Sequence, residues 1–368
     1  MADPRNILVF LPNWVGDVVM ATPALWALRG HFPAARITYL GRKIALGVLA
    51  GTDWADATIV DASSQPPAML NFAKTALAIR HAGFDLAVLL PNSFRSAALV
   101  RVGGGVSDVV GYDRDGRGLM LSRKLQPARG KGGRFVPVPQ IDYYNALVAQ
   151  LGAGDIGWRM ELPVEPADEQ AAGELLQAAA AAAHWPLDGC RPLVMLNPGA
   201  SFGPSKLWPA ARFAAAADAL ADRFGAGILI NAAPAEKPIA AAVAAAMKHR
   251  PLVNFADRDN TLGLLKALLK RCDLLVTNDT GARHFGAALG CDLVTIFGST
   301  DPTWAHIDYE RERMIRVAVP CSPCQSKTCR QPEGETFHQC MAAVTVDSVV
   351  SAAAELLSGR QAFRGGCA

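Results

Sequence analysis

Residues 6–23 read NILVFLPNWVGDVVMATP, and the order of elements in this stretch decides the fold. Asn6–Pro12 is an apolar run of strand length, the next four residues form a turn ending in Gly16, and a helical composition follows. Strand, glycine turn and helix open an α/β unit, where backbone N–H groups and the positive end of the helix commonly cradle phosphate. The residue after the glycine is Asp17. Its carboxylate would repel a phosphate and compete for the same N–H groups, so a turn with the shape of a nucleotide site carries an acid in its mouth.

The rhythm set by this stretch repeats. NILVFLP, ARITYLG, DATIVDA, DLAVLLP and DVVGY are short apolar runs separated by helical segments such as PALWALRGHF. Such runs alternating with helices predict a parallel sheet covered on both faces. Prolines flank an alanine-rich helix between Leu162 and Arg191, which marks a boundary. Beyond it the rhythm resumes with PLVMLNPG, AGILINAA, CDLLVTND and DLVTIFG. The expected architecture is α/β, two Rossmann-like doubly wound domains facing across a cleft, with domains at 1–165 and 166–345. A last helix, 346–358, has Asp347 in N-cap position and Gly359 as a stop, and its pattern suits either domain.

Composition narrows the function. The 368 residues are 51% hydrophobic and 19% charged, which describes well-packed domains and excludes a disordered chain. The N-terminus lacks a basic region ahead of its short apolar run, and no stretch approaches the roughly 20 apolar residues of a membrane span. A cytoplasmic location is expected. The net charge of +3 is small, but Arg95–Arg134 holds nine basic residues against three acidic ones. That segment suggests an anionic partner; without interleaved aromatic platforms, nucleic acid is not expected. Of the eight cysteines, Cys321, Cys324, Cys329 and Cys340 crowd into one segment, where they could form a structural metal site, although the spacing after the first pair is irregular for zinc.

Two turns in the second half are suited to phosphate. In NPGASFGPSKLWP, residues 197–209, small residues let the backbone approach an anion, Ser201 offers a hydroxyl and Lys206 a point charge. In TNDTGARHFGAALG, residues 277–290, Asp279, Thr280 and Gly281 make the turn before a helix whose free N–H groups form an anion site. His284 falls one turn inside, where a protonated imidazole would meet the same anion. Glu236 lies on another loop at this edge, placed to accept from ribose hydroxyls. Two such turns in one domain point to a diphosphate.

PNWVGDVVMATPAL, LPNSFRSAAL at residues 90–99, NPGASFGPSKLWP and TNDTGARHFGAALGCDLVTIFGSTDP, in this order, resemble the ADP-heptose:lipopolysaccharide heptosyltransferases, glycosyltransferase family nine. NWVGD and PNSF are most similar to its heptosyltransferase II branch. The resemblance implies a GT-B fold with the acceptor on the N-terminal domain, the ADP-sugar on the C-terminal domain, and the last helix crossing back to the N-terminal domain. It implies an inverting mechanism with no cofactor and no catalytic metal, ADP-heptose being a co-substrate. By matching motifs, the catalytic acid of the family falls on Asp17, the donor-phosphate lysine on Lys206, the nucleotide-binding residues on Asp279, Thr280, Gly281 and His284, and the ribose glutamate on Glu236.

The expected reaction moves L-glycero-D-manno-heptose to the heptose of a lipopolysaccharide inner core (lipid A-Kdo-heptose), with Asp17 as general base. Asn92, Ser93, Arg95, Arg117 and Arg123 are the expected acceptor contacts, the arginines steering an acceptor rich in carboxylates and phosphates. Such an acceptor would bring the protein into peripheral contact with the cytoplasmic face of the inner membrane. A relative with another sugar donor or acceptor, and a non-catalytic sugar-nucleotide binder, are the alternatives. A Rossmann oxidoreductase is disfavoured, since no G-x-G-x-x-G opens either half.

Overall fold

The computed structural model describes residues 3–154 and 156–364. It comprises two units, Met1–Pro163 with Thr303–Asp308, and Val164–Pro302 with Tyr309–Ala368. Thr303–Asp308 thus falls with the first unit, which a contiguous division of the chain does not provide for; within that unit His306 meets the ring of Trp158 edge-on at 5.5 Å.

The first unit is built on six parallel strands: β1 (Asn6–Phe10), β2 (Arg36–Gly41), β3 (Ala57–Val60), β4 (Leu86–Leu89), β5 (Asp108–Tyr112) and β6 (Arg123–Leu125), in the order β3-β2-β1-β4-β5-β6. The second holds β7 (Leu193–Asn197), β8 (Gly227–Ile230), β9 (Val253–Asn254), β10 (Leu274–Asn278), β11 (Asp292–Phe297) and β12 (Glu312–Arg316), in the order β12-β11-β10-β7-β8-β9. Counted within its own unit, each sheet follows the same Rossmann sequence, and its order reverses between the first and fourth strands. Those points lie between β1 and β4 and between β7 and β10. The loops leaving these four strands carry the four motifs.

The central strands are apolar because helices cover both faces; β4, β7, β8, β10 and β11 are buried throughout. β6, β9 and β12 were not anticipated. They are edge strands, short or polar (RKL, VN and ERMIR), and all but Val253 are partly or fully exposed.

The final helix spans Val346–Arg364, running through Gly359. It packs on the helix Ala210–Phe224 and on β10, β11 and β12 of the second unit. This corrects the expected return to the N-terminal domain. Val349, Ala353 and Leu357 are buried, and Arg360 donates to Asp292 at 2.7 and 3.0 Å, to Asp273 at 3.2 Å and to the Gly290 carbonyl at 2.9 Å. An apolar stripe and a clamp of buried acids bind this helix to its own unit.

Candidate active site

In the first unit, the chain leaves β1 through Leu11–Trp14 into the helix Val15–Met20, with Asp17 in its first turn. An acid there complements the positive end of the helix. Asp17 is half-buried, and its negative charge, after burial itself, is what raises the pKa of the fully buried Tyr144 phenol. The carboxylate therefore faces a low-dielectric wall on one side.

The loop leaving β4 is held from beneath. Ser93 caps the helix Phe94–Ala98 by accepting the Ser96 N–H at 3.2 Å. Asn92 Oδ1 accepts from Arg117 Nη2 and from the Tyr143 hydroxyl, both at 3.1 Å, and Tyr143 stacks on Tyr112 with centroids 3.6 Å apart. Arg117, at 0% exposure, also donates to the carbonyls of Tyr112 and Pro91 and to Ser96 Oγ. Burial pushes its pKa down to about 10. The expectation that Arg117 touches the acceptor is corrected: its guanidinium satisfies the carbonyls that a tight loop turns inward. The Asn92 oxygen is taken by Arg117 and Tyr143, and the residue stays partly exposed.

Much of the basic segment is also used internally. Arg123 pairs with Asp108 at 2.6 Å, and Arg114 and Arg129 lie over the Phe135 ring at 4.0 and 4.3 Å. These partners hold the segment in place, while Arg123 keeps about one-third of its side chain exposed. Arg95 differs. It lines a cavity of about 290 Å³ with Asn13, Trp14, Arg42, Ser63 and Ser93, and its Nη2, like the buried Ser63 hydroxyl, has no hydrogen-bond partner. Arg42 and Ser63 were missed by sequence reasoning, for no motif marks the ends of β2 and β3.

In the second unit, Lys206 closes a short turn after Gly203. Its Nζ donates to Asp279 Oδ2 at 2.5 Å and to the Asp279 carbonyl at 2.9 Å, and sits 4.9 Å from the Phe202 ring centroid. Thr300 donates to the same carboxylate at 2.7 Å. Burial would raise the pKa of Asp279, but the charge and hydrogen bond of Lys206, with that of Thr300, hold it below the usual carboxylate range. Thr280 caps the helix Gly281–Ala288 through its extended backbone, and its side chain makes no capping bond. Instead its hydroxyl accepts from Asn197 Nδ2 at 3.1 Å, within a chain in which Asn260 donates to Asn231 and Asn231 to Asn197, each at 2.7 Å. These asparagines lie at or beyond strand ends, and only their mutual bonding reveals a function.

Glu236 reaches over Gly199, where a Cβ would stand 2.1 Å from its carboxyl carbon. Burial raises its pKa against the opposing Ala233 N–H. Ser201 is exposed on the loop above. His284 is corrected in charge: burial, then Arg283, pushes its pKa down to about 3. The imidazole is neutral here and its Nδ1 has no hydrogen-bond partner, so it can receive or give a hydrogen bond.

Cys321, Cys324, Cys329 and Cys340 are free thiols lining one cavity of about 230 Å³. Burial, then the neighbouring thiols, raises the pKa of Cys340. Among the described residues no three His, Cys, Asp or Glu side chains are arranged to hold a metal, so the residues do not fit the metal site considered from the sequence. The segment has another role. Ser205 donates its N–H to the Lys327 carbonyl at 3.1 Å and its hydroxyl to that of Ser326 at 2.5 Å, and a Cβ on Gly203 would be 2.4 Å from the Lys327 carbonyl oxygen. The cysteine segment backs the loop that carries Lys206.

A family model described as glycosyltransferase family 9 (heptosyltransferase) matches residues 72–334. Lipopolysaccharide heptosyltransferase 2 of Escherichia coli K12 is 27% identical over 364 residues, covering 97% of this chain and 100% of the relative. Among solved structures, a family 9 glycosyltransferase from Veillonella parvula superposes with a TM-score of 0.79 at 23% identity over 96% of this chain and 97% of the other. E. coli ADP-heptose LPS heptosyltransferase II does so at 0.74 and 24%, covering 97% and 99%. These likenesses are to the two-Rossmann GT-B fold.

Proposed function

We propose, for a chain that belongs to glycosyltransferase family 9, the heptosyltransferases, that its reaction moves L-glycero-D-manno-heptose from ADP-heptose to the heptose of a lipopolysaccharide inner core, with inversion. The observation that carries this reading is the division of labour between equivalent places in the two sheets. The reversal point of the first sheet holds the Asp17 carboxylate at a helix start, and the loops around it line a cavity with Arg42, Arg95, serines and the buried Asp61; that of the second holds a lysine at a glycine-rich loop and an open helix start.

Asp17 takes the proton of the acceptor hydroxyl as its oxygen attacks the anomeric carbon and the bond to ADP breaks. General-base help of this kind is worth about 10² to 10⁴-fold. The charge that grows on the departing diphosphate is met by the N–H groups at Thr280 and Gly281 and by Lys206. An ammonium has three donors; Asp279 takes two and the third is directed to a phosphate oxygen. Asp279 is thus a positioning residue, and the uncharged His284 adds a hydrogen bond without adding charge. Glu236 accepts from the ribose, Ser201 closes over the phosphates, and Ser93 and Arg95 hold the acceptor. The leaving group is already a stable anion, so no acid is required.

The test is ADP release from ADP-heptose with core acceptors that carry or lack the first heptose. Turnover only with the heptose-bearing acceptor is expected. Equal turnover with both would move the acceptor assignment elsewhere, and no release with any acceptor would favour a binding protein.

A further inference from the structure

We propose that the outer face of the helix Ala68–Ala82, together with Phe94 and Val102 beside it, docks on an anionic lipid bilayer. Fourteen large apolar side chains stand exposed among the described residues, and eleven of them belong to the first unit. Five are concentrated here: Met69 is 90% exposed, Val102 65%, and Leu70, Leu77 and Phe94 about half. Met69, Ala73 and Leu77 are spaced four residues apart along the helix and are exposed, while Thr75, Ala76 and Ile79 are its buried residues.

The segments that carry Phe94 and Val102 both contact this helix. The turn Leu99–Gly103 lies so close to the helix that a Cβ on Gly103 would stand 2.8 Å from that of Ala76. Arg80 donates to the Val102 carbonyl at 3.3 Å, and the Arg95 guanidinium, next to Phe94, is 5.9 Å from the Phe72 ring centroid. An exposed apolar surface of this kind marks a place of contact.

Charge selects the occupant. Between residues 62 and 107 the chain carries Lys74, Arg80, Arg95 and Arg101, and its one acid is Asp85. That carboxylate is spent on the backbone N–H groups of Arg5 and Asn6, at 2.9 Å each. Apolar side chains set among cations are the pattern of a helix that lies in the headgroup region of an anionic leaflet; Asp61, just before this span, is buried in the adjoining cavity. The surface also adjoins the proposed acceptor cavity, since Ser93 and Arg95 line that cavity on either side of Phe94. To that extent the proposal rests on an acceptor that is lipid-linked.

The experiment measures sedimentation with mixed phosphatidylglycerol and phosphatidylethanolamine vesicles, and with phosphatidylcholine vesicles, without substrate. Wild-type protein is expected to bind the anionic vesicles in a salt-sensitive way and to ignore the neutral ones. Met69→Asp with Leu77→Asp should lower the bound fraction roughly tenfold, and Met69→Gln with Leu77→Gln should act in the same direction if the aspartates disturb folding. Turnover on a lipid-free heptose-bearing core saccharide should not change. Failure of the wild type to bind, or full binding by both variants, overturns the proposal. So does loss of self-association in the variants with vesicle binding intact, which would assign the face to a second copy. Vesicle binding is read without chemistry, so a failed heptose assignment leaves this result standing.

Discussion

The two sheets share one strand order, yet the places where that order reverses are built differently. In the first unit the reversal point holds Asp17, a half-buried carboxylate at a helix start, above a loop pinned by the buried Arg117. In the second it holds Lys206 against Asp279, with 12% and 8% of their side chains exposed. The same topology thus presents a carboxylate in one unit and a cation with backbone donors in the other. The difference teaches that the fold supplies the position and the loop residues supply the sign of the charge.

The contrast is sharpest under Asp17→Asn. Turnover should fall about 10² to 10⁴-fold while ADP affinity, measured by titration calorimetry, stays within experimental error; a parallel fall in ADP affinity would erase the division between the units. Lys206→Met should do the reverse. Loss of a charge-assisted hydrogen bond, worth about 1.5–3 kcal/mol, predicts roughly ten- to hundredfold weaker ADP binding, with the acceptor KM unchanged. It also strands the buried Asp279, so adding Asp279→Asn should restore part of the lost thermal stability without restoring ADP binding.

Arg117→Lys probes the scaffold. A lysine cannot serve the carbonyls of Pro91 and Tyr112 and the Asn92 side chain together, and each stranded acceptor costs about 1–3 kcal/mol. Arg123→Ala removes a pair whose partners are about one-third exposed and should cost under about 1 kcal/mol. Thermal unfolding of the two variants compares them; equal losses would mean that Arg117 is not the support of the loop. A further effect concerns pH. His284 is neutral in the folded state with its pKa near 3, whereas an unfolded histidine protonates near 6.5. Stability is therefore intact above about pH 6.5 and falls by at most about 1.4 kcal/mol per pH unit as the pH drops toward 3. In His284→Gln the slope of Tm against pH over this window should be shallower.

The sheet cores were legible because strands covered on both faces are written in continuous Val, Ile and Leu. β6, β9 and β12 were not, because an edge strand needs few apolar residues and is read as loop. At the site, loops with glycine, a charge and a helix start could be found from sequence, which brought forward Asp17, Lys206 and the Asp279–Gly281 turn. Arg117 could not be assigned in this way, since a sequence shows a charge but not whether backbone carbonyls have enclosed it. The positive segment looked like a surface field, and its folded arrangement spends Arg117, Arg123, Arg114 and Arg129 on internal partners. The cysteine segment misled through residue type; its contribution comes from the Ser326 and Lys327 carbonyls.

One contact in the second unit bears on how these sequences can change. The Glu236 carboxyl occupies the space that a side chain at position 199 would need. The two positions behave as a single steric unit, although 37 residues separate them along the chain. A drift from Gly199 to even alanine would evict the glutamate before it harmed the loop, and would be tolerated only alongside a shorter residue at 236. Change at position 236 therefore has a gate at a position that has no functional group of its own.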